Sequence, residues 1–375
     1  MSLLVKEVKQ PNVWAEKSGF IFFTDFHAHL FMDFSKPDPE FVTDRFRAQV
    51  EALEGMFKRA QEENLGIIFG GDLFHQRRIV DVRVYNAVFD VFSKYTQVPV
   101  VMVRGNHDSV TNSLYTESSL DSFDKLDHID VASVPTLYTV NETYAYMCLP
   151  YGDEIDEMKS CLQEAKTLIT SSKRRDLVYL IGHIGVDGSE TGRYSHTLSG
   201  AFTVKDLDPD IYTRVLLGHY HKRQFLGGLP NVLYGGNPIQ QSFSDEGQTK
   251  GYHIISYFGD EGGVHEELSF EAIPQKTFIT LDVNNLPDDD SIILDNYIQI
   301  KGNPTQVKRV KELQEQEGAT NIRVTVQKEY KVEVRQDIQI GDTPNGITTQ
   351  YLETKHASKE LKELANTLIS KALDL

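Results

Sequence analysis

At 375 residues, 40% of them hydrophobic and 25% charged, the chain suits a large globular domain with a smaller attachment. No apolar run approaches the roughly eighteen residues of a membrane-spanning helix, and the polar N-terminal segment does not resemble a secretory signal, so a cytoplasmic protein with no membrane partner is expected. The net charge of −17 excludes a chain whose whole surface attracts phosphate: unaided nucleic-acid binders carry a basic face, so bound cations, a local basic strip or a partner subunit would have to supply the attraction.

The first half alternates strands with helices. FIFFT (20–24) is a short apolar strand. Across 40–64, Phe41, Phe46, Val50, Leu53, Phe57 and Ala60 recur at three- and four-residue spacing, which predicts an amphipathic helix. GIIFG (66–70) is a second buried strand, a helix at 79–94 carries Val84, Val88, Phe89 and Phe92 on one side, and VPVVMV (98–103) is a third strand. AYMCLP holds Cys148 in a further strand, and Cys161 falls in a helix. Without a Cys-x-x-Cys pair both are expected to be reduced packing residues. Strands at 176–182 and 214–218 continue the pattern. Such short continuous apolar runs suit strands buried on both faces, in a sheet covered by helices.

After residue 220 the pattern turns to β-hairpins: QFLGG, NVLYGG, GYHIISYFG and HEELSFEAI, separated by Gly, Asp and Asn turns. The expected division is an N-terminal extension over 1–18, a main domain over 19–275, a small α+β cap over 276–340 and a tail over 341–375. NYIQIKG, a polar helix at 304–316 and the strand NIRVTVQKEYKVEV build the cap, and GDTPNG (341–346) reads as a linker. Over 355–375, Leu361, Leu364, Leu368, Ala372 and Leu375 form one seam on a helix, which docks either on its own domain or on a partner.

Polar residues able to hold a metal gather at the carboxyl ends of these strands. Asp25-Phe26-His27 ends the first and Gly71-Asp72 the second, while Gly105-Asn106-His107-Asp108 follows the third. His183 ends the strand at 176–182, and Gly218-His219-Tyr220-His221 ends that at 214–218. Singly, each has a plain explanation as a turn, a helix cap or a core histidine. Yet seven of the twelve histidines (His27, His29, His75, His107, His183, His219 and His221) lie at or just past strand ends, and packing gives no reason to gather them there. In open α/β sheets, ligands collect in the crevice beyond those ends. Imidazole, carboxylate and amide oxygen without thiolate suit manganese, iron or zinc. Two such cations about 3.5–4 Å apart clamp both attacking and leaving oxygens of a displacement at phosphorus. A carboxylate between them must be short and rigidly held, and Asp72 on a glycine turn meets that need.

The ordered series D-x-H, GD, GNHD, H and GHxH resembles the calcineurin-like metallophosphoesterases over residues 20–221. Within that superfamily, GDLFH (71–75) and YGGNPIQQSFSDEGQTKG (234–251) resemble the SbcD branch, nuclease subunits that pair with an SMC-like coiled-coil ATPase in double-strand break processing. The resemblance implies an α/β fold: two packed mixed β-sheets flanked by helices, with the cap and the C-terminal helix appended. It implies a first metal held by Asp25, His27 and His221, a second held by Asn106, His183 and His219, and Asp72 bridging them. The cations would be manganese, with magnesium, iron or zinc as alternatives, and a metal-activated hydroxide the nucleophile. His107 matches the histidine that stabilises the transition state or protonates the leaving oxygen. Asp108 would support it from behind, and His75 would steer the scissile phosphate. The branch usually reads Asp-x-His-Leu-Gly after the first strand, whereas this chain has DFHAHLF; the extra His29 is either a site residue or an exposed loop residue, and the loop is the preferred reading. Arg77, Arg78 and Arg104 beside the metal motifs, and Arg193 and His196 in SETGRYSH, are candidate phosphate contacts, with solvated surface charge as the alternative.

Three functions compete at this point. The first is a metal-dependent DNA nuclease, homodimeric and partnered by the SMC-like ATPase. The second is a stand-alone phosphoesterase for nucleotides, small phosphodiesters or phosphoproteins, which the acidic charge favours. The third, a non-catalytic scaffold, is the weakest, because every ligand position and His107 are filled.

Overall fold

A computed structural model describes residues 3–142, 144–171, 177–190, 197–198, 202–260, 263–317, 320–326 and 344–373. Side-chain alternation along the first predicted strand sets the layers. In Gly19–Phe23, which is buried throughout, Phe20 and Phe22 share one face and Ile21 and Phe23 the other, as a two-residue period requires. Phe20 and Phe22 join Ile68, Val101, Tyr179, Ile181, Leu216 and Leu233 in a core between two sheets. Ile21 and Phe23 join Ile67 and Phe69 against Leu53, Phe57, Val88 and Phe92 of two covering helices. Beyond the other sheet, Leu180, Val215 and Leu217 pack on Met158, Leu162 and Ala165 of the helix Ile155–Ser171. The result is an α/β/β/α sandwich.

One sheet has six strands in the order Gly263–Ala272, Gly251–Asp260, Gly19–Phe23, Gly66–Phe69, Val100–Val103 and Ile129–Ala132. Its last four run parallel, and Gly251–Asp260 is antiparallel to its neighbours. The other sheet has seven: Leu4–Glu7, Thr136–Thr139, Tyr144–Leu149, Leu177–His183, Arg214–Gly218, Val232–Tyr234 and Gln224–Phe225. Both sheets are mixed. The helix Asp44–Glu62 starts where Thr43 accepts the Phe46 N–H, and Val82–Lys94 where Asp81 accepts that of Arg83, ordinary capping in each case. Cys148 and Cys161 are free and buried.

Two expectations need correction. Residues before the first predicted strand are not an appendage: Leu4–Glu7 extends the seven-stranded sheet in parallel with Thr136–Thr139. Trp14 is buried so close under Gly66 that a Cβ there would fall 2.3 Å from its ring. The segment read as a linker over 341–346 is helical from Pro344, since proline at a first helical position lacks only an N–H that the helix does not use.

After the sandwich, three parallel strands, Phe278–Asp282, Tyr297–Gly302 and Ile322–Val326, pack with the helix Pro304–Glu317 around Ile298, Ile300, Val307 and Val324. They meet the main domain where Phe278 and Tyr297 pack on Phe34 and Phe243. Residues 1–326 form one compact unit and 327–375 another. In the second, the helices Pro344–Thr354 and Lys359–Leu373 pair, with Thr349 hydrogen-bonded to Asn366. Leu361, Leu364 and Leu368 are exposed on the second helix. Among the described residues, no helix is long and apolar enough to cross a membrane.

Candidate metal centre

The carboxyl ends of five strands, three from the six-stranded sheet and two from the seven-stranded sheet, open onto one place. His27 Nε2 lies 3.1 Å from His221 Nε2, and Asp25 Oδ1 lies 4.0 Å from the same His221 nitrogen. Asp72 Oδ2 stands between the halves, 3.6 Å from His27 Nε2 and 3.4 Å from His183 Nε2. Asn106 Oδ1 is 3.1 Å from His183 Nε2 and 3.0 Å from His219 Nδ1. All seven residues read from the sequence as metal ligands are therefore brought together.

The backbone is shaped to allow this convergence. Asp25, His27, Asp72 and His219 all have positive φ, between +49° and +102°, a region that costs energy for side chains with a Cβ and that concentrates at functional sites. The glycines of the motifs serve close approach. A Cβ on Gly105 would lie 2.1 Å from Asp72 Oδ1, and one on Gly71 would lie 2.3 Å from His183 Nδ1.

Burial and mutual charge set the protonation of the group. Burial pushes His27 well below the ordinary histidine range and His219 down to about 4, so both present neutral imidazoles at neutral pH. Burial raises Asp25. It also opposes ionisation of Asp72, but His183, by its charge and its hydrogen bond, leads the effects that outweigh burial and hold that carboxyl far below its usual range. His183, against the effect of burial, is lifted to about 9 by Asp72. Ring nitrogens, carboxylates and the Asn106 amide oxygen converge in a buried space, and His27 Nδ1 has no hydrogen-bond partner among the described residues. Three overlapping groups, Asp25–His27–His221, His27–Asp72–His107 and Asp25–Asp72–His183, each bring their donor atoms within 4.8 Å. Hard oxygen and borderline nitrogen donors without thiolate fit divalent cations.

Asp108 sits beneath. Its carboxylate accepts the N–H groups of Asp72 at 2.8 Å, Leu73 at 2.9 Å and Gly105 at 3.0 Å, which ties the second and third strand ends together. Burial and the neighbouring Asp72 charge raise it to about 6. The His107 N–H donates to Asp72 Oδ1 at 2.7 Å, and its ring Nδ1 meets the His75 carbonyl. His75 lies beside it, the two rings stacked 5.9 Å apart, and burial pushes His75 down to about 4.

The structure separates the remaining candidates. Arg104 does not join the site. It is fully buried, and its guanidinium is engaged by Ser109 and by the carbonyls of Ser133, Leu114 and Tyr151, so it braces the loop instead of meeting a phosphate. Arg77 and Arg78 stay near the rim, bonded to the Thr111 and Val110 carbonyls. Arg193 and His196 lie outside the described residues. His29 is not on an exposed loop. It is half-buried, with its ring 5.2 Å from His75 and 5.1 Å from Phe31, because the chain past the first strand keeps pairing in parallel with the segment past the second, Ala28 beside Phe74 and the His75 N–H on the Ala28 carbonyl at 3.2 Å. Sequence reasoning missed Gln49, Gln241 and Lys250, whose side chains bond the main chain of the ligand loops. Two of them fall in the 234–251 stretch, whose pattern carries no hint of those bonds.

Several known proteins are similar to this chain. A curated relative, the SbcD component of the SbcCD nuclease from Staphylococcus epidermidis, is 28% identical over 177 residues, 42% of this chain and 46% of that protein. The chain thus spans under half the length of that relative. Among solved structures, the 5'-nucleotidase precursor of Thermus thermophilus aligns over 68% of this chain and 54% of its own, with 12% identity and a TM-score of 0.36. The NAD nucleotidase of Haemophilus influenzae aligns over 80% and 60%, with 10% identity and a TM-score of 0.32. Residues 19–223, more than half of the chain and every strand end described above, match the family described as calcineurin-like phosphoesterase, and the chain belongs to that family.

Proposed function

We propose that the chain is a metal-dependent DNA nuclease, acting as exonuclease, single-strand endonuclease or both, with an SMC-like coiled-coil ATPase as its partner. Phosphoester hydrolysis with divalent metals is the reaction class of the family. The observation that carries the proposal is Asp72 Oδ2, within 3.6 Å of His27 Nε2 and 3.4 Å of His183 Nε2, with one ligand triad on each side. Asp25, His27 and His221 would hold one cation and Asn106, His183 and His219 the other, with Asp72 shared and manganese the first choice. Bound there, the cations supply Lewis-acid activation of water and of the phosphoryl oxygens.

The side chains do the rest. The His75 carbonyl takes the N–H of His107 Nδ1, which leaves Nε2 as the atom that exchanges a proton with the leaving oxygen. His75, kept neutral by burial, donates from its ring to the scissile phosphate. Asp108 holds the two loops in register, and Arg77 and Arg78 meet flanking phosphates. Support for a nuclease comes from GDLFH, which carries His75, and from the similarity to a nuclease subunit. The cap expected over 276–340, of which 318–319 and 327–340 lie outside the described residues, would contact DNA, and the exposed leucines of Lys359–Leu373 suit docking on the ATPase. A homodimer completes the proposed assembly. The net charge of −17 favours a second reading, a stand-alone phosphodiesterase for small esters.

The test is to incubate the protein, with manganese, on a labelled linear duplex and on bis(4-nitrophenyl) phosphate. Duplex cleavage that disappears in Asp72→Ala and His107→Ala supports the nuclease. Turnover of the ester beside an intact duplex, with the ATPase supplied, selects the second reading. Absence of metal uptake would sink both.

A further inference from the structure

The main-chain carbonyls of Asp25, His27 and His221, the three residues assigned to one cation, are each held by a buried side chain from elsewhere in the chain. Gln241 Nε2 donates to the Asp25 carbonyl at 3.1 Å, Gln49 Nε2 to that of His27 at 3.2 Å, and Lys250 Nζ to that of His221 at 2.7 Å. Gln49, Gln241 and Lys250 are all buried, Lys250 to 4% exposure.

A buried ammonium needs compensation. Lys250 has it from Asp245 Oδ1 at 3.0 Å, from Gln248 Oε1 at 2.8 Å and from Asn237 Oδ1. Asp245, 1% exposed, uses its other oxygen to accept the Gln241 N–H at 2.9 Å. One carboxylate therefore sets both donors, and Arg45 fixes Gln241 again through its carbonyl at 2.9 Å. His221 most needs an outside hold. Its side chain is 30% exposed, whereas those of Asp25 and His27 are 0% and 2% exposed. Packing confines the latter two, while His221 depends on where its backbone is held.

We propose that Lys250, seated on Asp245, is a positioning residue for the cation of Asp25, His27 and His221, and that Gln241 and Gln49 share the task. The inference rests on the metal reading above and extends it outward by one layer. Groups that orient metal ligands typically contribute about tenfold to a hundredfold in metal affinity, because ligand atoms must converge within about 0.5 Å.

The experiment titrates metal-free full-length protein with manganese alone and reads stoichiometry and affinity from free-ion paramagnetic resonance, beside the melting temperature without metal. The wild type takes up two ions. In Lys250→Met, one site weakens by about tenfold to a hundredfold and the other is unchanged. Ester turnover returns at saturating manganese. Gln241→Met, which keeps side-chain length and removes only a neutral donor, weakens the same single site, and decides the matter should Lys250→Met not fold. Two wild-type affinities in Gln241→Met and in folded Lys250→Met overturn the proposal. Equal weakening of both sites with a lowered metal-free melting temperature also overturns it, since that is the mark of a merely structural role. A wild type that binds no manganese overturns the metal reading itself, a result distinct from either.

Discussion

Around Asp72 and Gly105 the loop backbones turn N–H groups inward, whereas around Asp25, His27 and His221 they turn carbonyls inward. Buried backbone groups of either kind must find partners. The first set is gathered by a single acceptor, the Asp108 carboxylate, and the second by three separate donors, Gln241, Gln49 and Lys250. A carboxylate binds several N–H groups at once, and its charge strengthens each bond. The amide and ammonium donors here are spread over three side chains, of which Gln241 reaches two adjacent carbonyls, those of Asp25 and Phe26. The acceptor-held half is thus compact and local, while the donor-held half depends on long-range packing, with Gln241 reaching Asp25 across 216 residues.

Asp72 is the one ligand common to both halves, so its loss is the most severe way to probe whether they act together. Asp72→Ala should cut turnover of the nitrophenyl phosphodiester by at least about a hundredfold to a thousandfold, the scale of losing one electrostatic element of a transition-state site. Both manganese ions should be lost with it. Retention of one tightly bound ion would show that the halves are independent sites.

Next in size is Asp108→Asn, aimed at the acceptor-held half. The new amide turns an NH2 toward backbone N–H donors, and each buried donor left unmatched costs about 1–3 kcal/mol. Metal-free stability should fall by about 2–4 kcal/mol, and thermal melts should register about 2–4 °C for each kcal/mol in a domain of this size. Gln241→Met, which removes neutral bonds to the Asp25 and Phe26 carbonyls in the other half, should cost about 1–2 kcal/mol. Equal losses in the two variants would erase the distinction between one shared acceptor and several single donors.

The same contrast explains what was legible in the sequence. Asn106, His107 and Asp108 are adjacent, and Asp72 follows a glycine, so the acceptor-held half is written as two short motifs whose spacing carries the geometry. Lys250, Gln241 and Gln49 have no local signature. A lysine in QTKG reads as surface until a carboxylate is known to lie beneath it. The sandwich is readable where strands are continuous apolar runs, as in 20–24, 66–70 and 98–103. The strands Leu4–Glu7, Ile129–Ala132 and Thr136–Thr139 escape such a reading because they are four residues long and mix polar with apolar side chains. Arg104 misleads because charge in a sequence is read without burial. His29 misleads because the pairing that carries on past both strand ends, Ala28 beside Phe74, leaves no trace in composition.

Metal removal compares the halves in their common dependence. Manganese at about a hundred times its dissociation constant should stabilise the wild type by about 2.7 kcal/mol per site, since it binds the folded chain alone. Melts with manganese and with chelator should differ by about 10–20 °C in the wild type. The difference should shrink by about half in a variant that has lost one site. An undiminished shift in Gln241→Met would place the stabilising ion wholly in the acceptor-held half.

The smallest effect comes from acid, on the strand that follows Lys250. His253 is buried there, with ring centroids 6.5 Å from Phe22 and 5.2 Å from Phe270. Burial, helped by the charges of Arg223 and Arg214, pushes it down to about 4 from the ordinary 6.5. Its folded value is the lower one, so above pH 6.5 both states are neutral and nothing is lost. As pH falls from 6.5 toward 4 the unfolded chain takes up the proton and the folded chain does not, and stability drains away. By pH 5.5 the loss should be about 1 kcal/mol. His253→Phe puts a third apolar ring between Phe22 and Phe270 and removes the titration, so denaturant melts of metal-free protein at pH 7 and pH 5.5 should lie closer together than in the wild type. An unchanged gap would move the acid sensitivity away from the donor-held side and onto the histidines of the metal centre itself.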